Sequence, residues 1–225
     1  MQPEFETLLN GRRSTRAFTS AGVDRAAVER ICAAARRAPS GANLQPGKYH
    51  VLTGEPLAAL TGSLARAAAE NRPLDNEYSY FPDPMPAEFK DRQRKAGYAL
   101  YNALGIARRD VAGRREQFAR NYGFFDAPIG IVVTIERSAG KGCFMDLGMS
   151  LMAFFLATES MNLGATGIGA LANYGTLVHQ HLGLPDNEMV VCGIALGHPD
   201  MADPVNNFRT ERAELDEFTS FRGFT

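Results

Sequence analysis

Tryptophan is missing altogether from this sequence, and cysteine is nearly so, with Cys32, Cys143 and Cys192 the only three. An odd number of widely separated cysteines, with no CxxC pair and no Cys/His ligand spacing, excludes a disulfide framework and a structural zinc site. All three read as buried reduced thiols, which predicts a cytoplasmic protein. Histidine is equally sparse: His179 and His181 lie two apart on a predicted helix and so point to different faces, and no metal site is expected. Neither sign of charge dominates, because 24 Lys+Arg against 25 Asp+Glu leave a formal charge of −1 and a pI near 6.4. Such a surface is not built to attract nucleic acid or an anionic membrane, so any phosphate site has to be local.

The opening "MQPEFETLLNGRRSTRAF" lacks the apolar core of a secretory signal. The most membrane-like stretch, "CFMDLGMSLMAFFLATESMNLGATGIGALA", is interrupted by Asp146 and Glu159 and runs into glycines, so it predicts a central core helix and no membrane partner. No GxGxxG opens a helix and no GxxxxGK[ST] occurs, which removes the Rossmann and P-loop readings. "PSGAN" is not a GxSxG elbow, and no histidine and acid stand out as partners for Ser40. Asp83, Glu88 and Asp91 lie in or beside a surface segment and make no convincing acid–base pair.

What is present is a 45% apolar chain of 225 residues, enough for a single domain over 1–225 with surface left for an oligomer interface. A short helix is expected near 3–10. A clearer one follows in "GVDRAAVERICAAARRAPS", capped by Asp24, striped by Val28, Ile31, Ala34 and Ala35, and ended by Pro39. "YHVLTG" reads as a strand and "EPLAALTGSLARAAAE" as a helix with proline in its first turn. Residues 71–87 hold four prolines and three aromatics without a period, and 71–110 as a whole are expected to form a lid or substrate region. Its helices, and the one after it, turn Tyr98, Leu100, Tyr101, Leu104 and Phe118 toward something apolar. "IGIVVTIE" and "EMVVCGIALG" are strong buried strands, with "GATGIGALA" a glycine-rich strand and turn and "YGTLVHQHLGL" a short helix between them. The order is not a regular βαβ alternation, so the fold class is α+β, a mixed central sheet flanked by helices. Residues 204–225 have no compact element yet carry Phe208, Leu215, Phe218, Phe221 and Phe224, which predicts an arm packed on a partner subunit.

Three clusters carry chemistry. Arg12, Arg13, Ser14 and Arg16 at a helix end have the donors to surround a phosphate, and Arg209 and Arg212 of the tail are a second basic pair; alone, the first cluster reads equally as a solvated turn. Ser40, Asn43 and Gln45 offer donors and acceptors for the edge of a polar heteroaromatic ring, although loop residues of these types also satisfy their own backbone. The small residues of "GIGALANYG" let a backbone approach a flat ligand, or simply pack a tight connection. A phosphate clamp, a polar loop and a small-residue wall, with no acid, base or nucleophile, point to a cofactor that carries the chemistry.

In this order, "RRSTRAF", "PSGANLQP", "MDLGMSLMAFFLATESMNLGATGIGAL" and "LGLPDNEMVVCGIALGHPD" resemble the FMN-dependent nitroreductase family over nearly the whole chain, and "YFPDPMPAEFKDRQRKAGYALYNALGI" is similar to its nitrobenzoate and nitrobenzene reductase branch. The resemblance implies a domain-swapped homodimer with FMN at the interface, the central helix forming much of that interface. It implies that Arg12, Arg13, Ser14 and Arg16 hold FMN, that Arg209 or Arg212 completes the phosphate clamp, and that Pro39, Ser40, Asn43 and Gln45 belong to a loop reaching the flavin from the other subunit. Backbone at Leu171 and Ala172 is implied to face the flavin N5, with NADH or NADPH as electron donor and a small nitroaromatic as substrate. The implied reaction is ping-pong reduction to hydroxylamino products. The same fold also hosts flavin reductases, quinone or enone reductases and dehalogenases, and a non-catalytic FMN-binding protein is the reading from another class. Two departures stand out: Gly47 follows Gln45–Pro46 where many relatives have tryptophan, and Leu171 stands where some have glutamate.

Overall fold

The computed structural model describes residues 3–224. Among them the chain forms β1 (Lys48–Thr53), β2 (Ile129–Glu136), β3 (Gly164–Ile168) and β4 (Glu188–Gly197), joined in one sheet of order β1-β2-β4-β3. Around it lie α1 (Pro3–Gly11), α2 (Arg25–Ala35), α3 (Gly54–Ala69), α4 (Ala87–Ala103), α5 (Val111–Ala119), α6 (Lys141–Ser160), α7 (Gly175–Leu182) and α8 (Leu215–Phe218). The α+β class is as expected. The sheet is less mixed than expected: all three strand pairings are antiparallel, and parallel geometry among neighbouring segments is confined to isolated bridges such as Ser14 to Ala165.

β2 and β4 are buried on both faces, which is why they read as continuous apolar runs. Alternation divides their side chains: Ile131, Val133, Ile135, Ile194 and Leu196 face α2 and α6, while Val132, Val190 and Ala195 face α3 and α7. The stripe of α2 buries Val28, Ile31 and Ala35, with Ala34 half-buried. Asp24 occupies the N-cap position with extended backbone, but its side chain makes no cap bond. The first turn is held by main chain instead, Ala27 N donating to Asp24 O at 3.0 Å. In α3, Leu57, Leu60, Leu64 and Ala67 recur at helical spacing and all are buried. Of the side chains expected to face an apolar surface after the 71–87 segment, Tyr98, Leu100, Tyr101 and Leu104 are half-buried and Phe118 is exposed.

α6, expected as a central core helix, packs one face on the sheet. It turns Leu147, Ser150, Phe154 and Thr158 inward and leaves Met145 at 70%, Met149 at 42% and Met152 at 37% exposure along one stripe. The tail also differs from expectation in forming α8, closed by a capping box between Glu214 and Glu217, while Leu215, Phe218, Phe221 and Phe224 stay exposed.

One packing detail fixes the centre of the sheet. Phe124, fully buried, lies over two glycines of adjacent strands: a Cβ on Gly193 would stand 3.0 Å from its ring and 3.1 Å from Leu171, and one on Gly130 would press on Leu57 and the same ring. The ring is seated by three successive residues in the left-handed region, Phe124, Phe125 and Asp126. Replacing Gly193 with alanine is expected to lower stability by roughly 1–3 kcal/mol through overpacking, read by urea unfolding.

A charged group closes the outer end of the sheet. Glu188, 4% exposed, accepts from Thr134 Oγ1 at 2.7 Å, lies 3.1 Å from His50 Nε2 and pairs with Lys48. Burial by itself raises the Glu188 carboxyl, but the hydrogen bonds from Lys48, Thr134 and His50 together outweigh it and hold it below its ordinary value. A carboxylate depressed in the folded state contributes stability that is complete above its unfolded value and is lost as pH falls through the folded one. Glu188→Gln should therefore flatten the acid limb of a stability-versus-pH curve below about pH 4, with little change in shape at neutral pH.

Candidate cofactor-binding site

The arginines of the first cluster and of the tail meet in space. A cleft of about 620 Å³ is lined by Arg12, Arg13, Ser14, Arg16, Arg209 and Arg212, together with Leu9, Asn10, Ala96, Gly97, Leu100, Phe208 and Thr210. The 12–16 segment reaches the cleft from α1 and then runs beside β3, Thr15 N donating to Ala165 O at 3.1 Å. The tail is brought back to it by Asn206, which sequence reading passed over. This residue is 1% exposed; its Oδ1 accepts from Arg16 N, and its Nδ2 donates to Ala17 O and Asp200 O, each at 2.8 Å. An "NN" pair after a proline carries no local signal for such a role, since every partner is distant in sequence except Asp200.

The guanidinium groups are braced on main-chain carbonyls. Arg13 Nη1 donates to Asn206 O at 3.0 Å, and Arg209 spans the end of α1 with Nη1 on Arg12 O at 3.0 Å and Nη2 on Gly11 O at 3.1 Å. Arg16 Nη1 reaches Ser14 O at 3.3 Å, and Arg212 bonds only to its neighbours Thr210 and Glu211. Among the described residues that line the cleft there is no acidic side chain. Arg12 is accordingly pushed below its usual value by burial first and then by Arg212 and Arg209, with Glu159 acting in the opposite sense. Arg209 is lowered by burial and then by Arg13, again against Glu159, and Arg16 by burial. Crowded, partly desolvated cations, opposed only by Glu159 from outside the cleft lining, make this a candidate anion site. The apolar Leu9, Ala96, Leu100 and Phe208 beside them leave room for the carbon skeleton of a phosphate ester next to the cations.

Residues Pro39, Ser40, Asn43 and Gln45 do not line this cleft in the same chain; Pro39, Ser40 and Gln45 border a separate small pocket with Arg36, Asp146 and Ser150. Their loop is strongly shaped, with positive φ at Ala42, Asn43, Gln45 and Gly47. Arg36, at the C-cap of α2, clasps it by donating from Nη1 to Gln45 O at 2.7 Å and from Nη2 to Gly47 O at 2.9 Å. Ser40 Oγ accepts from Gln45 N at 2.9 Å, Gln45 Nε2 donates to Asn43 O at 3.2 Å, and Asp146 Oδ2 accepts from Gly41 N at 3.1 Å. Two of the polar residues that stood out in the sequence thus shape the loop. Only the Asn43 carboxamide among the three makes no hydrogen bond to the described residues, which leaves both its donor and its acceptor for a ligand.

Leu171 and Ala172 lie in a short 3₁₀ turn, Gly169–Asn173, after β3, and both are buried. The Leu171 side chain points into the core against Gly193, so this residue presents main chain, not side chain, to anything outside. A glutamate's side-chain chemistry at this position has no counterpart here. Tyr80, 64% exposed, lies over the same turn, 3.1 Å from where a Cβ on Gly169 would stand.

An antiparallel sheet sandwiched by helices, with an arginine-lined cleft where the 12–16 segment meets the tail, is an α+β architecture with a candidate anion site. Residues 9–198 match the model of the nitroreductase family, and the chain belongs to that family. Within it the chain is similar to proteins named for nitroaromatic substrates: it is 34% identical to a 4-nitrobenzoate reductase of Pseudomonas putida over 98% of this chain and 96% of that one, and 35% identical to a chloronitrobenzene nitroreductase of Comamonas testosteroni over 97% of each. The crystal structure of the FMN and NADPH-dependent nitroreductase NfnB from Sphigopyxis sp. strain HMH superposes with a TM-score of 0.95 at 39% identity, covering 97% of this chain and 99% of that one.

Asn206→Ala should strand the backbone groups at Arg16, Ala17 and Asp200 and cost roughly 2–3 kcal/mol of stability, measured by urea unfolding. The same variant should lose affinity for an anionic ligand, because it frees the segment that carries Arg13 and Arg16.

Proposed function

We propose that the chain is a cytoplasmic, homodimeric FMN-dependent oxidoreductase that uses NADPH or NADH to reduce nitroaromatics such as nitrobenzoate. The observation that carries this reading is the cleft in which arginines from residues 12–16 and 209–212 crowd together with no acidic side chain among its described lining residues. Arg12 supports a role as the free donor, since its guanidinium makes no hydrogen bond among the described residues, while Arg13, Arg16 and Arg209 are held in place by carbonyls. Ser14 adds a hydroxyl at the same wall. Arg212 completes the set.

A second copy of the chain accounts for the other half of the site. The exposed methionine stripe on α6 and the exposed apolar tail give this chain two unpaired surfaces. Asp146 on α6 also holds Gly41 of the polar loop, so pairing through α6 would carry Pro39, Ser40, Asn43 and Gln45 toward the partner's cofactor. FMN, when bound, would supply two-electron hydride chemistry between a nicotinamide and a nitro compound. The residues of this chain bind and orient: the arginines anchor the phosphate, the Asn43 carboxamide meets a polar ring edge, and the Leu171–Ala172 turn offers main chain. Among the described residues that line the cleft there is no carboxylate or histidine, and solvent can deliver the protons. One cleft serving donor and acceptor in turn gives ping-pong kinetics, and successive two-electron reductions give the hydroxylamino product.

The test is the visible spectrum of the purified protein before and after anaerobic NADPH, and again after 4-nitrobenzoate. A flavin band that bleaches and recovers is the expected outcome. A band that neither pyridine nucleotide bleaches would make the protein an FMN carrier, and a colourless protein that takes up no added FMN would sink the assignment. Ser14→Ala and Arg16→Ala are expected to weaken FMN retention, measured by flavin released on gel filtration.

A further inference from the structure

The irregular 71–87 segment is rooted at one end. Asp75 N donates to Asn173 O at 3.0 Å and Glu77 N to Ala172 O at 3.2 Å, so the segment runs beside the Gly169–Asn173 turn. Asp75 Oδ2 accepts from Thr176 N at 2.8 Å, and the buried Glu77 carboxylate accepts from Arg137 Nη1 at 2.7 Å and lies 3.1 Å from His179 Nε2. Tyr78 makes the last tie. The ladder between β2 and β4 slips at Val133/Thr134, leaving Val191 as the extra residue of a bulge, and the Tyr78 hydroxyl donates to the Val191 carbonyl at 2.9 Å. Beyond it Tyr80 and Phe81 are exposed, and Ser79 bonds only within the segment, to Phe81 O.

Arg137 is the hub of this root. While Nη1 holds Glu77, Nε donates to Asp186 O and Nη2 to Glu188 O, both at 2.9 Å, so one planar group joins the segment to β4 and the loop before it. We propose that Arg137, acting through Glu77, is a positioning residue that locks the root of the 71–87 segment and the Leu171–Ala172 turn into one unit, fixing the wall against which a nitroaromatic is held. The proposal rests on the function proposed above, since it gives that turn a place beside the cofactor. An ammonium in place of the guanidinium cannot serve three acceptors held in a plane, so Arg137→Lys should not rescue the geometry.

The test uses the full-length protein with Arg137→Lys, Glu77→Gln and Tyr78→Phe, and Arg25→Ala, which removes an exposed pair with Glu29, as control. Hydrogen exchange at the Asp75 and Glu77 amides of FMN-free protein should quicken about tenfold in the first two variants and not in the control. With FMN bound, the KM for 4-nitrobenzoate should rise several-fold while FMN retention stays as in the unaltered protein; a purely structural weakening would lower the melting temperature without that selective change. Tyr78→Phe folds without the ion pairs being touched and should show the same KM effect in weaker form. Unchanged exchange, or faster exchange with an unchanged KM in all three variants, would overturn the proposal. An unaltered protein that binds no FMN would remove the parent reading instead, and the exchange comparison alone would then decide whether Arg137 locks the turn.

Discussion

Two segments separated by 190 positions are held together by the carboxamide of Asn206, which is satisfied on both its donor and acceptor sides inside the fold. The segment it receives carries Arg13 and Arg16, and the tail it anchors carries Arg209 and Arg212, so this junction, together with the bonds of Arg209 to Gly11 O and Arg12 O, closes the positive cleft. Bringing like charges together costs energy, and the structure meets that cost by bonding Arg13, Arg16 and Arg209 to main-chain carbonyls. What remains is a region of positive potential that a dianionic phosphate would relieve.

A second theme is preorganisation by residues that do not themselves line the cleft. Arg36 grips two carbonyls of a loop with four residues in the left-handed region, and Arg137 grips three acceptors at the base of another irregular segment. In both places a forked, always-charged donor stabilises backbone that has no regular hydrogen-bonding scheme of its own. The Phe124 slot does the same by shape, with glycines of β2 and β4 making room for a ring on a strained turn.

Much of this was legible in the sequence. β2 and β4 stood out because burial on both faces leaves an unbroken apolar run, and α2 and α3 because one buried face leaves a helical period. The arginine cluster and its distant tail pair were visible as residue types. What the sequence concealed is tertiary: Asn206, Arg36, Arg137 and Glu77 bond to partners whose nearness no spacing encodes. Ser40 and Gln45 were conspicuous but turn out to bond within their own loop, leaving Asn43 free. The antiparallel pairing of β3 was equally hidden, because a short glycine-rich strand has no side-chain pattern that reports its direction. The α6 composition pointed to the core, yet a helix apolar all round serves as well with one face on the sheet and the other unmet within the chain.

The closure at Asn206 has a consequence for how the molecule comes into being. Residues 12–16 leave the ribosome early, and residues 206–212 only after nearly all the sheet has been made. At a synthesis rate of ~5–20 residues per second, the arginines of the first segment wait about 10–40 s for the tail that positions them. During that interval the strands and helices can assemble into a domain, but the arginine cleft cannot, so the positive potential of that cleft is among the last features of the fold to form.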